Sequence, residues 1–212
     1  MAGQRVLLAT NNPGKLRNLR DLLSSLPIEV VSPADLGLEL EVPEDGATYS
    51  ENARTKALAF AAASGLPSIA DDSGLEIAAF GGWPGLHSVR FAGPDTSLAE
   101  RKEIIRERAR QVSDRSARFV CVVALAVPGR VIAETEGILD GLITEEERGN
   151  GGFGYDSLFC PSGQNRTLAE IPEIEKATFT HRARAIQALR PAVVRLLVRP
   201  IQPNPSRPTA NS

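Results

Sequence analysis

Ile69-Ala70-Asp71-Asp72-Ser73-Gly74-Leu75-Glu76-Ile77 follows directly on the apolar run Leu66-Pro67-Ser68, so a strand-like segment carries two adjacent acids, a hydroxyl and a glycine. An ionised acid in an apolar sheet is costly unless it is paired or bound to a metal. Successive side chains of a strand point to opposite faces. Asp71 should therefore share a face with Ser73, and Asp72 with Gly74, so the two acids cannot do the same job. Gly74 leaves room for a backbone or a ligand to come close. A polar turn at the end of a strand is the simpler alternative for the tetrapeptide alone. The segments around it decide between the two.

Leu7-Leu8-Ala9-Thr10-Asn11-Asn12-Pro13-Gly14-Lys15 reads as a buried strand that runs into a helix. Asn12 suits an N-cap, and Pro13 suits the first helical position. Leu16, Leu19, Leu22, Leu23 and Leu26 then recur on one helical face. A strand entering a helix N-terminus offers free N–H groups and a positive dipole end to an anion. Lys15 stands in that first turn against the dipole, which points to an anion beside it. The two glycines of a Walker loop are missing. An ordinary turn with a solvated lysine is the alternative.

Two further clusters carry chemistry. Gly151-Gly152-Phe153-Gly154-Tyr155-Asp156 puts two of only ten aromatic residues into one glycine-rich loop, where a ring can lie against a nucleobase. The alternative is a hairpin with its aromatics in the core. Lys176 precedes His181-Arg182 at the start of a helix that Thr180 can cap. Ala183, Ile186, Leu189, Val193, Leu196 and Leu197 form its apolar stripe. His181 is one of only two histidines, and beside an arginine in a first turn it suits a phosphate or base contact as well as a plain packing role.

Strands are expected at 5–10, 28–32, 67–71 and 75–79, with a hairpin of 116–126 and 131–137 across Pro128-Gly129. Residues 137–144 should continue the sheet. Helices are expected at 13–25, from a Thr48/Glu51 capping box to Ser64, from a Ser97/Glu100 box to Gln111 with a solvated charged face, and at 180–198. Alternation of this kind predicts an α/β protein, a mixed central β-sheet with helices on both faces. Residues 1–199 read as one domain, and the Pro-rich 200–212 as a disordered tail.

With 42% hydrophobic and 24% charged residues, the composition is that of a soluble globular protein. A net charge of −2 argues against a dedicated nucleic-acid binder. Cys121 and Cys160 sit in apolar surroundings and read as core thiols, not as a disulfide or a metal pair. The N-terminus has no apolar signal segment and the chain has no 18-residue apolar run, so a cytoplasmic protein without a membrane span is expected.

Thr10-Asn11-Asn12-Pro13-Gly14-Lys15, Glu44-Asp45-Gly46-Ala47-Thr48-Tyr49-Ser50-Glu51-Asn52-Ala53, Ala70-Asp71-Asp72-Ser73-Gly74-Leu75, Gly81-Gly82-Trp83-Pro84-Gly85-Leu86-His87-Ser88, Gly151 to Asp156 and Lys176 with His181-Arg182 occur in this order from about Arg5 to about Val198. In these segments the chain closely resembles the inosine triphosphate pyrophosphatase family, the non-canonical purine dITP/XTP pyrophosphatases. Asn11 stands where many members have glycine, and Thr180 where serine is usual; both keep the local backbone chemistry.

The resemblance implies two lobes with the nucleotide in the cleft between them, a homodimer, and magnesium-dependent hydrolysis of dITP, ITP, XTP or dXTP to monophosphate and pyrophosphate. It further implies Glu44 and Asp72 as metal carboxylates, with Asp72 also taking a proton from the attacking water. Thr10, Asn11, Asn12, Pro13, Gly14, Lys15 and Ser73 would hold phosphates. Phe153, Gly154, Tyr155, Asp156, Lys176, His181 and Arg182 would hold the base and the rest of the nucleotide. Two other readings stay open at this point. One is a regulatory module that binds a triphosphate without cleaving it; the other is a Maf-like pyrophosphatase for modified pyrimidine triphosphates.

Overall fold

The apolar run at residues 6–8 becomes strand β1 (Gln4–Leu8), which leads through the Asn12 N-cap into helix α1 (Pro13–Leu23). The structure, a computed structural model, describes residues 4–93 and 95–198, and the tail expected at 200–212 lies outside them. Strand β2 (Ile28–Val31) returns parallel to β1. Helix α2 (Tyr49–Ser64) starts where Thr48 Oγ1 accepts from the Glu51 N–H at 3.1 Å. The second half of the expected capping box is replaced, because the Glu51 carboxylate accepts from Ala47 N at 2.7 Å.

Strand β3 (Ser68–Ile77) follows, and the short β4 (Pro84–Gly85) pairs with it. Helix α3 (Leu98–Ala109) begins in a complete Ser97/Glu100 capping box. The hairpin of β5 (Ser116–Val127) and β6 (Arg130–Ile143) comes next, then β7 (Phe159–Pro161), the single turn α4 (Glu173–Lys176) and the long α5 (His181–Val198).

The strands lie in the order β2-β1-β3-β5-β6-β7. β1 is parallel to β2 and β3, and the remaining neighbours are antiparallel, so the sheet is mixed as expected. The acids do not separate two strands. One 10-residue strand runs through them, in register with β5 from Ser68↔Ala126 to Ile77↔Ala117. Each acid finds cationic or amide partners on its own face, so the ladder need not break to hydrate them.

The period of two sorts the sheet into faces. Ile69 packs with Val6, Leu8, Cys121, Val123, α1 and α5. Ala70 packs with Leu7, Val122, Ala124 and the alanine face of α2. A third apolar cluster gathers Leu75, Ile77, Phe119, Leu139, Phe159 and Ile105 of α3 at the other end of the long strands. Asp71 to Gly74 lie between these packed regions. There β3 also has an open edge: β1 pairs only with Ser68 and Ile69, and β4 only with Leu75 and Glu76. The first turn of α5 is pressed onto β6 at Gly137, where a Cβ would lie 2.0 Å from the His181 carbonyl oxygen.

Candidate active site

A cavity of about 330 Å³ opens on the α1/α5 face of the sheet, between the first and third apolar clusters. From the first loop it takes Asn12 and Lys15, and from β3 it takes Ser73. From the glycine-rich loop it takes Phe153, Gly154, Tyr155 and Asp156, and from the C-terminal part Lys176, His181 and Arg182. Four of the expected phosphate contacts, Thr10, Asn11, Pro13 and Gly14, lie outside its lining. Thr10 Oγ1 instead accepts from Asn12 N at 3.2 Å, and Gly14 lets the Phe153 ring rest on α1, where a Cβ would meet Phe153 Cγ at 2.8 Å.

The α1 N-terminus differs from the expectation of free N–H groups. Asn12 Oδ1 accepts from Gly14 N at 2.9 Å and from Lys15 N at 3.1 Å. Lys15, too, has an anion inside the protein: its Nζ lies 3.1 Å from Asp71 Oδ2. That carboxylate accounts for a lysine held against the dipole without any ligand. Asp71 is wholly enclosed and also accepts from Arg182 Nη2 at 3.2 Å. The same Arg182 nitrogen donates to Ser73 Oγ at 3.0 Å, so Asp71 and Ser73 do share a face. Burial alone would raise the Asp71 pKa, but Lys15, Arg182 and Lys56 together hold the carboxyl well below the usual range.

Asp72 points the other way, toward α2. Its Oδ2 accepts from Asn52 Nδ2 at 2.9 Å, and its Oδ1 accepts from Ser73 N at 3.0 Å. Lys56 Nζ lies 3.9 Å from Asp72 Oδ1, donates to the Asp71 carbonyl at 2.7 Å and pairs with Glu44. Burial pulls the Lys56 pKa down, but the charges of Asp71, Asp72 and Glu44 outweigh it and keep the group a cation. Burial pushes the Asp72 pKa up against Lys56 and Asn52, which makes it a better base than a solvated carboxylate. Arg90, absent from the sequence reading, reaches Glu44 Oε2 at 3.5 Å and donates to the Glu44 carbonyl at 2.7 Å. Glu44 and Asp72 thus converge on one ammonium at the open edge of β3, behind the cavity.

In the cavity itself, Asp156 Oδ2 accepts from Phe153 N at 3.1 Å and lies 3.5 Å from Lys176 Nζ. Burial raises the Asp156 pKa against Lys176 and that N–H. His181 stacks on Phe119 with centroids 4.8 Å apart and planes 15° from parallel. Burial, then the Arg182 charge, push its pKa well below 6.5, so the imidazole is neutral. Its Nδ1 is buried with no partner. The Arg182 guanidinium lies 5.4 Å from the centre of the Phe153 ring. Tyr155 is buried in the third apolar cluster and donates its hydroxyl to the Ser88 carbonyl, so its first role is to fasten two loops together.

Helix α3 is also less solvated than expected: Lys102 pairs with Glu147 at 2.7 Å, Arg108 lies 4.2 Å from the Trp83 ring centre, and Arg101 lines the cavity. Cys121 is buried as expected, whereas Cys160 is only half-buried.

This arrangement defines a class of mixed-sheet α/β protein whose site has two sides, a cavity on one sheet face and a carboxylate pair at an open strand edge on the other. The chain belongs to the Ham1 family, whose family model matches residues 6–192. It is 47% identical over 185 residues to the dITP/XTP pyrophosphatase of Syntrophobacter fumaroxidans, covering 87% of this chain and 80% of that protein. To the dITP/XTP pyrophosphatase of Thermus thermophilus it is 45% identical over 191 residues, 89% and 91% of the two chains. Among solved structures, the HAM1 protein from Coxiella burnetii superposes with a TM-score of 0.81 at 36% identity, covering 91% of this chain and 99% of that one.

Proposed function

We propose that this protein hydrolyses non-canonical purine nucleoside triphosphates, ITP and dITP, XTP and dXTP, to the monophosphate and pyrophosphate, and so clears them from the pool that feeds DNA and RNA synthesis. The observation that carries this reading is the two-sided site. A nucleotide whose base lies in the cavity can pass its phosphates over the open edge of β3 at Ser73 toward Asp72, Glu44 and Lys56. The names of the curated relatives support the same reading.

The base follows from donors and acceptors. A 6-oxopurine presents a carbonyl acceptor beside an N1–H donor, whereas adenine presents an amine donor beside a bare N1. Lys176 as donor and Asp156 as acceptor, 3.5 Å apart, match the oxopurine and leave adenine with mismatched partners. Buried polar groups left unpaired are what make such discrimination large. Phe153 supplies a face for stacking.

Hydrolysis of a phosphoanhydride needs charge neutralisation and a positioned water more than covalent chemistry. Lys15, Lys56 and Arg182 supply positive charge along the path of the phosphates. Asp72, oriented by Asn52 and the Ser73 N–H and made more basic by burial, takes the proton of the attacking water. Magnesium takes hard oxygen ligands. Two carboxylates converging on a single ammonium form a donor set that suits it, so Glu44 and Asp72 would hold the ion, which neutralises phosphate charge when bound. A homodimer and a cytoplasmic location belong to the same reading and rest on the family resemblance.

Pyrophosphate release from ITP tests the proposal. Full activity is expected with magnesium and none in chelator, and Asp72→Asn should lose at least about a hundredfold in turnover with its circular dichroism unchanged. Near wild-type turnover by Asp72→Asn would refute the assignment of the base.

A further inference from the structure

Arg101 lies one turn into α3 and lines the cavity together with Leu98 of the same helix. The start of α3 is fixed by the Ser97/Glu100 box, and one guanidinium N–H donates to the Thr96 carbonyl at 2.5 Å. Arg101 Nε is buried with no partner among the described residues, and the guanidinium lies against the Tyr155 hydroxyl, where its charge opposes the rise in pKa that burial causes. Both carboxylates that line the cavity, Asp156 and Glu173, are held by Lys176. No carboxylate among the described residues forms an ion pair with Arg101.

The place of Arg101 along the cavity indicates which part of a ligand it meets. Phosphate-directed groups, Lys15 and Ser73, come from α1 and the middle of β3. Arg101 instead comes from α3, which packs through Ile105 and Ala109 into the apolar cluster of Tyr155, Leu168 and Phe119, and its guanidinium reaches the Tyr155 hydroxyl. A planar, uncharged ring suits that cluster and a polyanion does not. A guanidinium fixed by the Thr96 carbonyl and paired with no carboxylate among the described residues matches a carbonyl oxygen on the edge of such a ring.

We propose that Arg101 is a specificity-determining residue that donates through its guanidinium to a ring carbonyl of the purine, which rests on the nucleotide reading above. Hypoxanthine carries this oxygen at position 6 only, xanthine at 2 and 6, and adenine at neither. Arg101 therefore selects for oxopurines from a wall of the cavity separate from Lys176 and Asp156.

The test compares the full-length wild type with Arg101→Met, which keeps the apolar stem and removes every donor, and with Arg101→Lys. With magnesium, kcat/KM is measured on ITP, XTP and ATP. A hydrogen bond to a charged donor predicts a loss of roughly 10- to 100-fold for Arg101→Met. If the oxygen is O6, ITP and XTP both lose; if it is O2, XTP alone loses. In either case ATP stays within about threefold, and Arg101→Lys recovers part of the loss. Calorimetric binding of IMP, XMP and AMP gives the same contrast without turnover, and serves if a variant is too unstable for kinetics. An equal loss on all three triphosphates, or no loss in a folded variant, overturns the proposal. A wild type that cleaves neither ITP nor XTP overturns the nucleotide reading instead.

Discussion

Asp71→Asn should unfold this protein at a markedly lower temperature, although asparagine has nearly the same shape. The Asp71 side chain is fully enclosed, and Lys15 and Arg182 reach it at 3.1 and 3.2 Å with side chains 16% and 4% exposed. Asparagine can still accept one hydrogen bond, but it leaves a buried guanidinium without its counter-charge. Removing one partner of a buried ion pair costs about 3–5 kcal/mol. For a chain of this size each kcal/mol moves the melting temperature by about 2–4 °C, which gives a fall of about 6–20 °C. The sign of the pH dependence follows from the lowered pKa of Asp71. Its contribution is fully present above the unfolded-state value of about 3.9 and is lost as pH falls through the folded value. The gap between wild type and variant should therefore be constant from about pH 7 to 5 and should narrow below about pH 4. Thermal melts followed by circular dichroism across this range are the assay. A variant that melts within about 2 °C of wild type at pH 7 would refute the view that Asp71 anchors two cations.

Lys15→Ala removes one of those two cations while Arg182 remains on Asp71, so its melting temperature should fall less than that of Asp71→Asn, while kcat/KM on ITP drops sharply. Undiminished activity would make Lys15 purely structural. Burial pushes the Cys121 thiol up to about 12, whereas Cys160 is half-buried at the surface. A thiol reagent should thus titrate one cysteine in the native protein and two in denaturant. Two reacting thiols in the native state would show that the core around Asp71 opens readily.

The period-two logic of β3 could be read directly from the chain, because alternation is a local property: Asp71 and Asp72 do face opposite sides of the sheet. The continuity of β3 could not, since two acids and a glycine look like a break until their partners are known. Those partners lie far away in sequence: Arg182 from α5 for Asp71, and Asn52 and Lys56 from α2 for Asp72. Lys15 misled for the same reason, its anion being Asp71 itself. Tyr155 matched a stacking motif by composition, but the carbonyl its hydroxyl reaches, that of Ser88, belongs to a loop that only the fold brings near. Arg101 carried no local signal at all. In a helix crowded with charges, only tertiary packing decides which arginine turns inward.

In the proposed reaction, water attacks at the bond between the α and β phosphates of a 6-oxopurine triphosphate. Incubation of the wild type with equal concentrations of ITP and ATP in the presence of magnesium, with all nucleotide and phosphate products resolved by ³¹P NMR, tests it most directly. IMP and pyrophosphate are expected in equal amounts from the first time point, with ATP largely untouched. IDP with orthophosphate, or consumption of ATP at the rate of ITP, would contradict it.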